Sequence, residues 1–397
     1  MAESVQMIRQ QIGFDPSTGF DEPGRPGSNG DRMPARSPSP ELLSLLQEAA
    51  ARQASDVHLV PGYPTTFRVN GRLERAEPKP LASEDIRRMA ESVLPAAVFE
   101  KFEQTRNADC SLSIEKDGGR LRFRANVYLA RDGWCICLRH IPNQIPTLEW
   151  LGFSKELAQR LVALQDGLVL VTGETGSGKT STLAALIDLA RQKRDAHIIT
   201  IEEPIEYIHE VRGLSIVTQR EVGRDVSSFA DGLKYGLRQD PDVILVGEIR
   251  DRDTAQMAIS AAETGHLVFA TMHTRDAKGA LTRLVDLFPQ ESQDDIRTQL
   301  ALSLRSVVSQ KLLPPVHEGE RRVLVLEVLH ASQPVQVAIR SGRIETLDSA
   351  LQTGARSGMI MLDDDLRRLV REGKITAETA RLYAKDPDSL GAVAKSW

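Results

Sequence analysis

The sequence predicts an α/β protein in which a smaller α+β unit precedes a core built on a parallel sheet, with a helical region at the C-terminus. Three observations carry that prediction. Between residues 167 and 274 four short apolar runs, GLVLVTG, HIITIEE, DVILVGE and HLVFATMH, show no inside–outside alternation. Such runs, set among amphipathic helices, are the pattern of strands buried on both faces of a parallel sheet. A glycine-rich string, GETGSGKT, falls between the first run and the helix that follows it. Residues 41–141 instead alternate apolar and polar side chains in stretches broken by Pro-Gly and Asn-Gly, which marks strands joined by turns.

Along the chain, residues 1–40 contain six of the 20 prolines and five glycines, with few large apolar side chains after Phe20. A segment of that composition cannot bury enough surface to offset its ordering entropy, so a flexible arm is expected. From Glu41, LLSLLQEAAARQ carries apolar residues at helical spacing, and SDVHLVPGYPTTFRVNGRLERA reads as strands broken by turns. A second helix is expected over residues 84–102, followed by alternation in LSIEKDGGRLRFRANVYLARDGWCICLRHI. Residues 41–141 are thus expected to form an α+β domain. Pro142 and Pro146 bracket a linker at 142–149. The parallel-sheet core is expected at 150–329, and 330–397, rich in Arg, Leu, Asp and Glu at helical spacing, as a helical C-terminal region.

A length of 397 residues allows two or three domains with full cores. Apolar residues at 41% and charged residues at 26% exclude a wholly disordered or collagen-like chain. Fifty basic against 55 acidic side chains give a net charge of -5, which argues against a domain devoted to neutralising phosphate backbones, so no nucleic-acid partner is expected. The three cysteines, Cys110, Cys135 and Cys137, exclude a disulfide framework across the chain and a four-cysteine zinc site, and suit a reducing compartment. The apolar runs are far shorter than the roughly 20 residues that cross a bilayer. The start, MAESVQMIRQQIGFD, lacks a basic head followed by an apolar stretch, so a cytoplasmic location is expected.

The chemistry concentrates at the ends of the apolar runs. Gly173-Glu174-Thr175-Gly176-Ser177-Gly178-Lys179-Thr180 fits G-x-x-x-x-G-K-[ST] and sits after a strand and before a helix. Glycines let backbone N–H groups curl around phosphates, and the helix N-terminus adds its dipole. Lys179 reaches the β- and γ-phosphate oxygens, Thr180 can ligate Mg²⁺, and Ser181 follows in the first helical turn. ATP and Mg²⁺ are therefore the expected ligands.

In an open parallel sheet, ligands bind beyond the carboxyl ends of the strands. The second run ends in Glu202 and Glu203, with Glu206 just past Pro204, and the third ends in Glu248. Asp242 begins that third strand, about 20 Å from Glu248 at about 3.3 Å per residue, and so stands away from the site. Glu248 is the natural residue to polarise an attacking water, and Glu203 is a candidate second ligand for Mg²⁺. His266 and His273 lie at opposite ends of the fourth strand, about 23 Å apart. His273 and Thr274 fall on the phosphate side, where they can sense a γ-phosphate; His266 is expected to hydrogen-bond locally and close the Gly265 turn. Arg122, Arg124, Arg131 and Arg139 stand on strands of the N-terminal unit, either as cations for transition-state charge or as a solvated face.

GETGSGKT, ITIEEPIEY, RQDPDVILVGEIRD and GHLVFATMHT resemble, in order and spacing, the phosphate loop, Asp box, Walker B and His box of the secretion-superfamily ATPases. Within that group the chain is similar to the PilT-like branch, the twitching-motility ATPases that retract type IV pili. The resemblance covers about residues 40–390. It implies a RecA-like core, a PAS-like N-terminal domain, and a homohexameric ring with ATP sites between the two. It further implies Glu248 as the catalytic glutamate, Glu202 and Glu206 as Asp-box acids, His273 as a γ-phosphate histidine, and Arg124 and Arg139 as clamps on the nucleotide. An inner-membrane platform protein, a paralogous pilus ATPase and a peripheral position at the inner face of the inner membrane follow in the same way.

Two positions depart from the family. Glu203 stands where Asp is usual. The C-terminal retraction motif, approximately AIRNLIREGK, corresponds to residues 334–343, where only Ile339, Arg340 and Gly342 match and Arg343 replaces Lys. An accessory or regulatory ATPase subunit of a pilus or type II secretion-like system is the alternative reading. The cysteine count separates the chain from family branches that carry a four-cysteine zinc insertion.

Overall fold

The alternating residues of the N-terminal half close into a six-stranded sheet. A computed structural model describes residues 37–390 apart from 70, 77, 78, 95, 117, 118, 142, 143, 212 and 318. Residues 1–36 of the expected arm, and part of the expected linker, lie outside the described residues. The sheet contains β1 (Asp56–Leu59), β2 (Thr66–Val69), β3 (Arg72–Arg75), β4 (Asn107–Lys116), β5 (Gly119–Ala130) and β6 (Gly133–Ile141), in the order β3-β2-β1-β6-β5-β4 with every pairing antiparallel.

Alternation sorts the two faces of that sheet. Phe123, Ala125 and Val127 of β5 are fully buried and pack with Leu42, Leu46, Ile86 and Phe102 from the helices Pro40–Ala51, Ser83–Val93 and Ala96–Thr105. The intervening Arg122 and Arg124 project from the other face. Register sets Arg124 directly opposite Arg139, and Arg139 opposite Asp56. Like charges facing across a pair are destabilising; here Arg139 Nε pairs with Asp56 at 2.9 Å and Arg124 with Asp109 at 3.3 Å.

The single helix expected over 84–102 is two helices. Leu94 between them has extended backbone (φ -72°, ψ 123°). It precedes Pro95, whose ring disfavours the helical conformation in the residue before it.

The second sheet has seven strands: β7 (Gly167–Thr172), β8 (His197–Glu202), β9 (Ile216–Glu221), β10 (Val243–Val246), β11 (Leu267–Met272), β12 (Leu304–Leu313) and β13 (Val323–His330), in the order β13-β12-β7-β11-β10-β8-β9. All neighbours run parallel except β12 and β13. The four apolar runs are the contiguous centre, β7-β11-β10-β8, and β7, β10 and β11 are buried along their whole length. Each buried Val, Leu or Ile there contributes about 1.5–3 kcal/mol.

Three strands were not evident in the sequence. β9 is a polar edge strand, and β12 carries Ser306, Ser309 and Gln310 in its buried interior. The two serines are satisfied by partners distant in sequence: Ser309 Oγ lies 2.7 Å from Thr172 Oγ1, and Ser306 Oγ donates to Leu329 O at 3.0 Å. β13 extends the core sheet before the C-terminal helices Gln333–Arg340, Leu347–Thr353, Leu362–Arg371 and Ala377–Tyr383. The third of these docks on the edge of β13, where Asp365 Oδ2 accepts the Leu326 N–H at 2.9 Å. Among the described residues no helix is long and apolar enough to cross a membrane.

Candidate nucleotide site

At the carboxyl end of β7 the chain turns into the glycine-rich loop and then into the helix Lys179–Lys193. Gly173 has φ +148°, and a Cβ there would lie 2.4 Å from the Gln310 carbonyl oxygen and 2.5 Å from Ser177 Oγ. Gly178 caps the helix with left-handed backbone (φ 89°), a conformation that glycine adopts without penalty. Gln310 Nε2 donates to Ser177 O at 2.7 Å, so β12 pins the loop from beneath. Lys179 is buried; its Nζ donates to Gly173 O at 2.7 Å and Glu174 O at 3.1 Å, and burial pulls its pKa below the ordinary lysine value while Glu248 opposes that shift. Thr180 is exposed beside it, and Ser181 Oγ lies 2.8 Å from the Tyr207 hydroxyl.

The neighbouring strand ends deliver the acids. Glu202 is buried, and its Oε1 accepts from Thr200 Oγ1 at 2.7 Å and Gln219 Nε2 at 3.1 Å. Burial raises its pKa and the two hydrogen bonds lower it, burial being the larger effect. Gln219 also donates to Tyr207 O at 2.8 Å and accepts the His209 N–H at 2.9 Å, so one edge-strand side chain holds the segment after β8. From the antiparallel sheet, Arg122 reaches the same segment, donating to Glu206 O at 2.9 Å and Ile205 O at 2.6 Å.

Glu248 stands at the centre of a connected series. Its Oε2 lies 2.7 Å from Arg250 Nη2, and its Oε1 lies 3.3 Å from His273 Nε2. The other ring nitrogen of His273 is 3.3 Å from Thr175 Oγ1 in the glycine-rich loop. Arg250 extends the series outward through Nη1 to Glu203 Oε2 at 3.0 Å, and the hydrogen bond to Glu248 holds its pKa above the usual guanidinium value.

Lys179, Thr180, Glu202, Glu203, Glu206, Glu248 and His273 all line one cleft of about 540 Å³, joined from the antiparallel sheet by Arg139. Arg124 is not among its lining residues. Glu174 faces Arg275 at 3.4 Å. Asp242 lies at the far end of the sheet, where its Oδ2 accepts the His197 N–H at 2.8 Å. His266 lies there too, its Nδ1 3.0 Å from Ala261 O at the end of the helix Arg252–Glu263.

Arg250, Gln219, Tyr207 and Gln310 were not singled out by sequence reasoning. A signal existed for one of them: Arg250 is two residues from Glu248.

The residues suit a nucleotide with Mg²⁺. A cradle that excludes any Cβ at Gly173 and a buried ammonium fit phosphate oxygens. Among the described residues no group of three or more His, Cys, Asp or Glu side chains is arranged to hold a metal by itself. Mg²⁺ ordinarily keeps several waters and takes ligands from the phosphates, so the exposed Thr180 hydroxyl suits it as a protein ligand.

A family model described as Type II/IV secretion system protein matches residues 37–390. The type IV pilus retraction ATPase PilT of Pseudomonas aeruginosa is 40% identical over 350 residues, covering 88% of this chain and 100% of PilT. The type IV pilus ATPase PilU of the same organism is 37% identical over 355 residues, covering 89% of this chain and 91% of PilU. A crystal structure of the pilus retraction motor PilT with bound ADP superposes with a TM-score of 0.79 at 40% identity, covering 88% of this chain and 99% of that one.

Proposed function

This chain belongs to the Type II/IV secretion system protein family, and we propose that it is a motor ATPase that hydrolyses ATP to retract type IV pili and drive twitching motility. One observation carries the assignment of the site: the glycine-rich loop, Glu248 and His273, contributed by different strand ends, meet in a single cleft with Arg139.

In this reading residues 150–329 are a RecA-like core, 41–141 a PAS-like domain, 142–149 the linker and 330–397 a helical C-terminal region. The backbone N–H groups from Gly173 to Gly178 cradle the phosphates, and Lys179 exchanges its two loop carbonyls for phosphate oxygens. Thr180 would hold Mg²⁺, which would supply neutralisation of phosphate charge. Glu248 orients the attacking water, Glu202 and Glu206 shape the acidic wall, and His273 links the γ-phosphate position to Thr175. Phosphoryl transfer needs alignment and charge stabilisation more than covalent chemistry, which suits a site of fixed donors and one water-directing carboxylate.

A homohexamer completes the site. Arg139 clamps the nucleotide from the N-terminal domain, and Arg124, on the same sheet face and paired with Asp109 in the single chain, is the second clamp. Turnover then moves N-terminal domains against adjacent cores, while Arg122 links each N-terminal domain to its own core. The ring acts at the inner face of the inner membrane through a platform protein, with a paralogous pilus ATPase as a further partner.

The assignment is tested with Glu248→Gln. ATP binding should be retained and turnover nearly abolished; an unchanged kcat would remove Glu248 from the role. A second reading, an accessory ATPase beside a main motor, is favoured by the divergence of residues 334–343 from the retraction motif. ATPase rates of the purified chain alone and with a paralogue separate the two.

A further inference from the structure

We propose that Glu203 and Arg250 are a positioning pair for Glu248, and that Glu203 is not a ligand of Mg²⁺. The proposal rests on the ATPase reading and assigns roles within the same site.

The geometry comes from two adjacent strand ends. β8 and β10 are parallel neighbours with Ile201 paired to Val246, so Glu203 and Glu248, each two residues beyond that pair, project from the same edge. Two carboxylates so placed repel unless a cation stands between them. Arg250 occupies that position, with Nη1 3.0 Å from Glu203 Oε2 and Nη2 2.7 Å from Glu248 Oε2. Its planar fork gives one arm to each carboxylate, which a point-charge ammonium does not reproduce. On the inner side, Glu248 Oε1 faces His273 Nε2 at 3.3 Å.

The Glu248 carboxylate is therefore held at both oxygens. A carboxylate offers about four lone-pair positions, so two contacts leave room to accept a hydrogen bond from water. Glu203 has its Oε2 engaged with Arg250, so a metal at that oxygen would compete with the guanidinium that also holds Glu248. Side-chain exposure falls inward, from 58% at Arg250 and 41% at Glu203 to 16% at Glu248. Exposed ion pairs contribute little to folding. The consequence of the pair is thus the orientation of the inner carboxylate, and misplacement by about 1 Å can cost about 100-fold in rate.

The test uses the full chain with Arg250→Ala, Arg250→Lys, Glu203→Gln and the Glu203→Gln/Arg250→Ala double variant. Steady-state ATPase, nucleotide affinity by calorimetry, Mg²⁺ titration at fixed ATP and thermal unfolding are measured for each. Arg250→Ala should lower kcat about 10- to 100-fold while nucleotide Kd, Mg²⁺ half-saturation and Tm stay near wild type. Glu203→Gln should lower kcat in the same direction, and Arg250→Lys should restore little of the loss. The double variant should lose no more than Arg250→Ala alone, because the two residues act through one carboxylate.

A Glu203→Gln protein whose Mg²⁺ half-saturation rises about tenfold or more, with kcat recovered at excess Mg²⁺, would make Glu203 a metal ligand and overturn the proposal. Wild-type turnover with kcat unchanged in Arg250→Ala overturns it alone, whereas a wild-type chain without turnover overturns the ATPase reading and this inference with it.

Discussion

His273 Nε2 lies 3.3 Å from Glu248 Oε1, joining the ends of two adjacent parallel strands, and the opposite ring nitrogen lies 3.3 Å from Thr175 Oγ1. One imidazole thus spans the gap between the Glu248 carboxylate and the glycine-rich loop. His273→Ala should lower kcat about 10- to 100-fold through lost alignment, with a smaller effect on nucleotide affinity. Single-turnover kinetics and calorimetry check this; a loss confined to affinity would place His273 in binding only.

Gly173 tests whether the cradle requires glycine for its shape. An alanine methyl would stand 2.4 Å from a backbone carbonyl at φ +148°, and neither the strand nor the loop can yield cheaply. Gly173→Ala should cost about 1–3 kcal/mol from backbone strain and weaken nucleotide binding at the same time. Chemical denaturation with a parallel nucleotide titration measures both, and a variant with wild-type affinity would contradict the cradle geometry.

Gln310 anchors the loop from a strand remote in sequence. Gln310→Leu removes the bond to Ser177 O and leaves that carbonyl without its side-chain donor, at a cost of about 1–3 kcal/mol. Nucleotide affinity should fall more than kcat, because the loop and not the carboxylate loses its support. Equal losses in both would indicate a wider disturbance of β12.

Acid sensitivity should come partly from buried histidines. Burial pushes His330 down to about 4, with Arg160 acting in the same direction. The unfolded chain, with the ordinary value near 6.5, then binds the proton more readily than the fold does. Stability from this group is full above about pH 6.5 and declines as pH falls through about 4. His330→Leu should flatten the Tm-against-pH curve over that window relative to wild type; an unchanged slope would assign the acid sensitivity elsewhere.

Much of the molecule is legible in its sequence. Unbroken apolar runs announce strands buried on both faces, and so the four central strands of the core sheet, together with the acids and the histidine at their carboxyl ends, could be read from local pattern. Lys179 and Thr180 follow from a loop whose glycines and spacing have few other uses. The polar strands were not legible for an equally physical reason. Ser306, Ser309 and Gln310 are buried only because their partners arrive from β7, β13 and the loop, and no window of sequence contains both members of such a pair.

The sequence by itself determined the chemistry at the strand ends and the order in which it arrives. Tertiary structure alone decided which groups meet: that Arg250 stands between Glu203 and Glu248, that Arg122 reaches the carbonyls of Ile205 and Glu206 from another sheet, and that Arg139 borders the cleft while Arg124 turns to Asp109. Local pattern reports which face a residue occupies. Pairing across the fold depends on strand order, register and side-chain reach, which are settled only when the sheets pack.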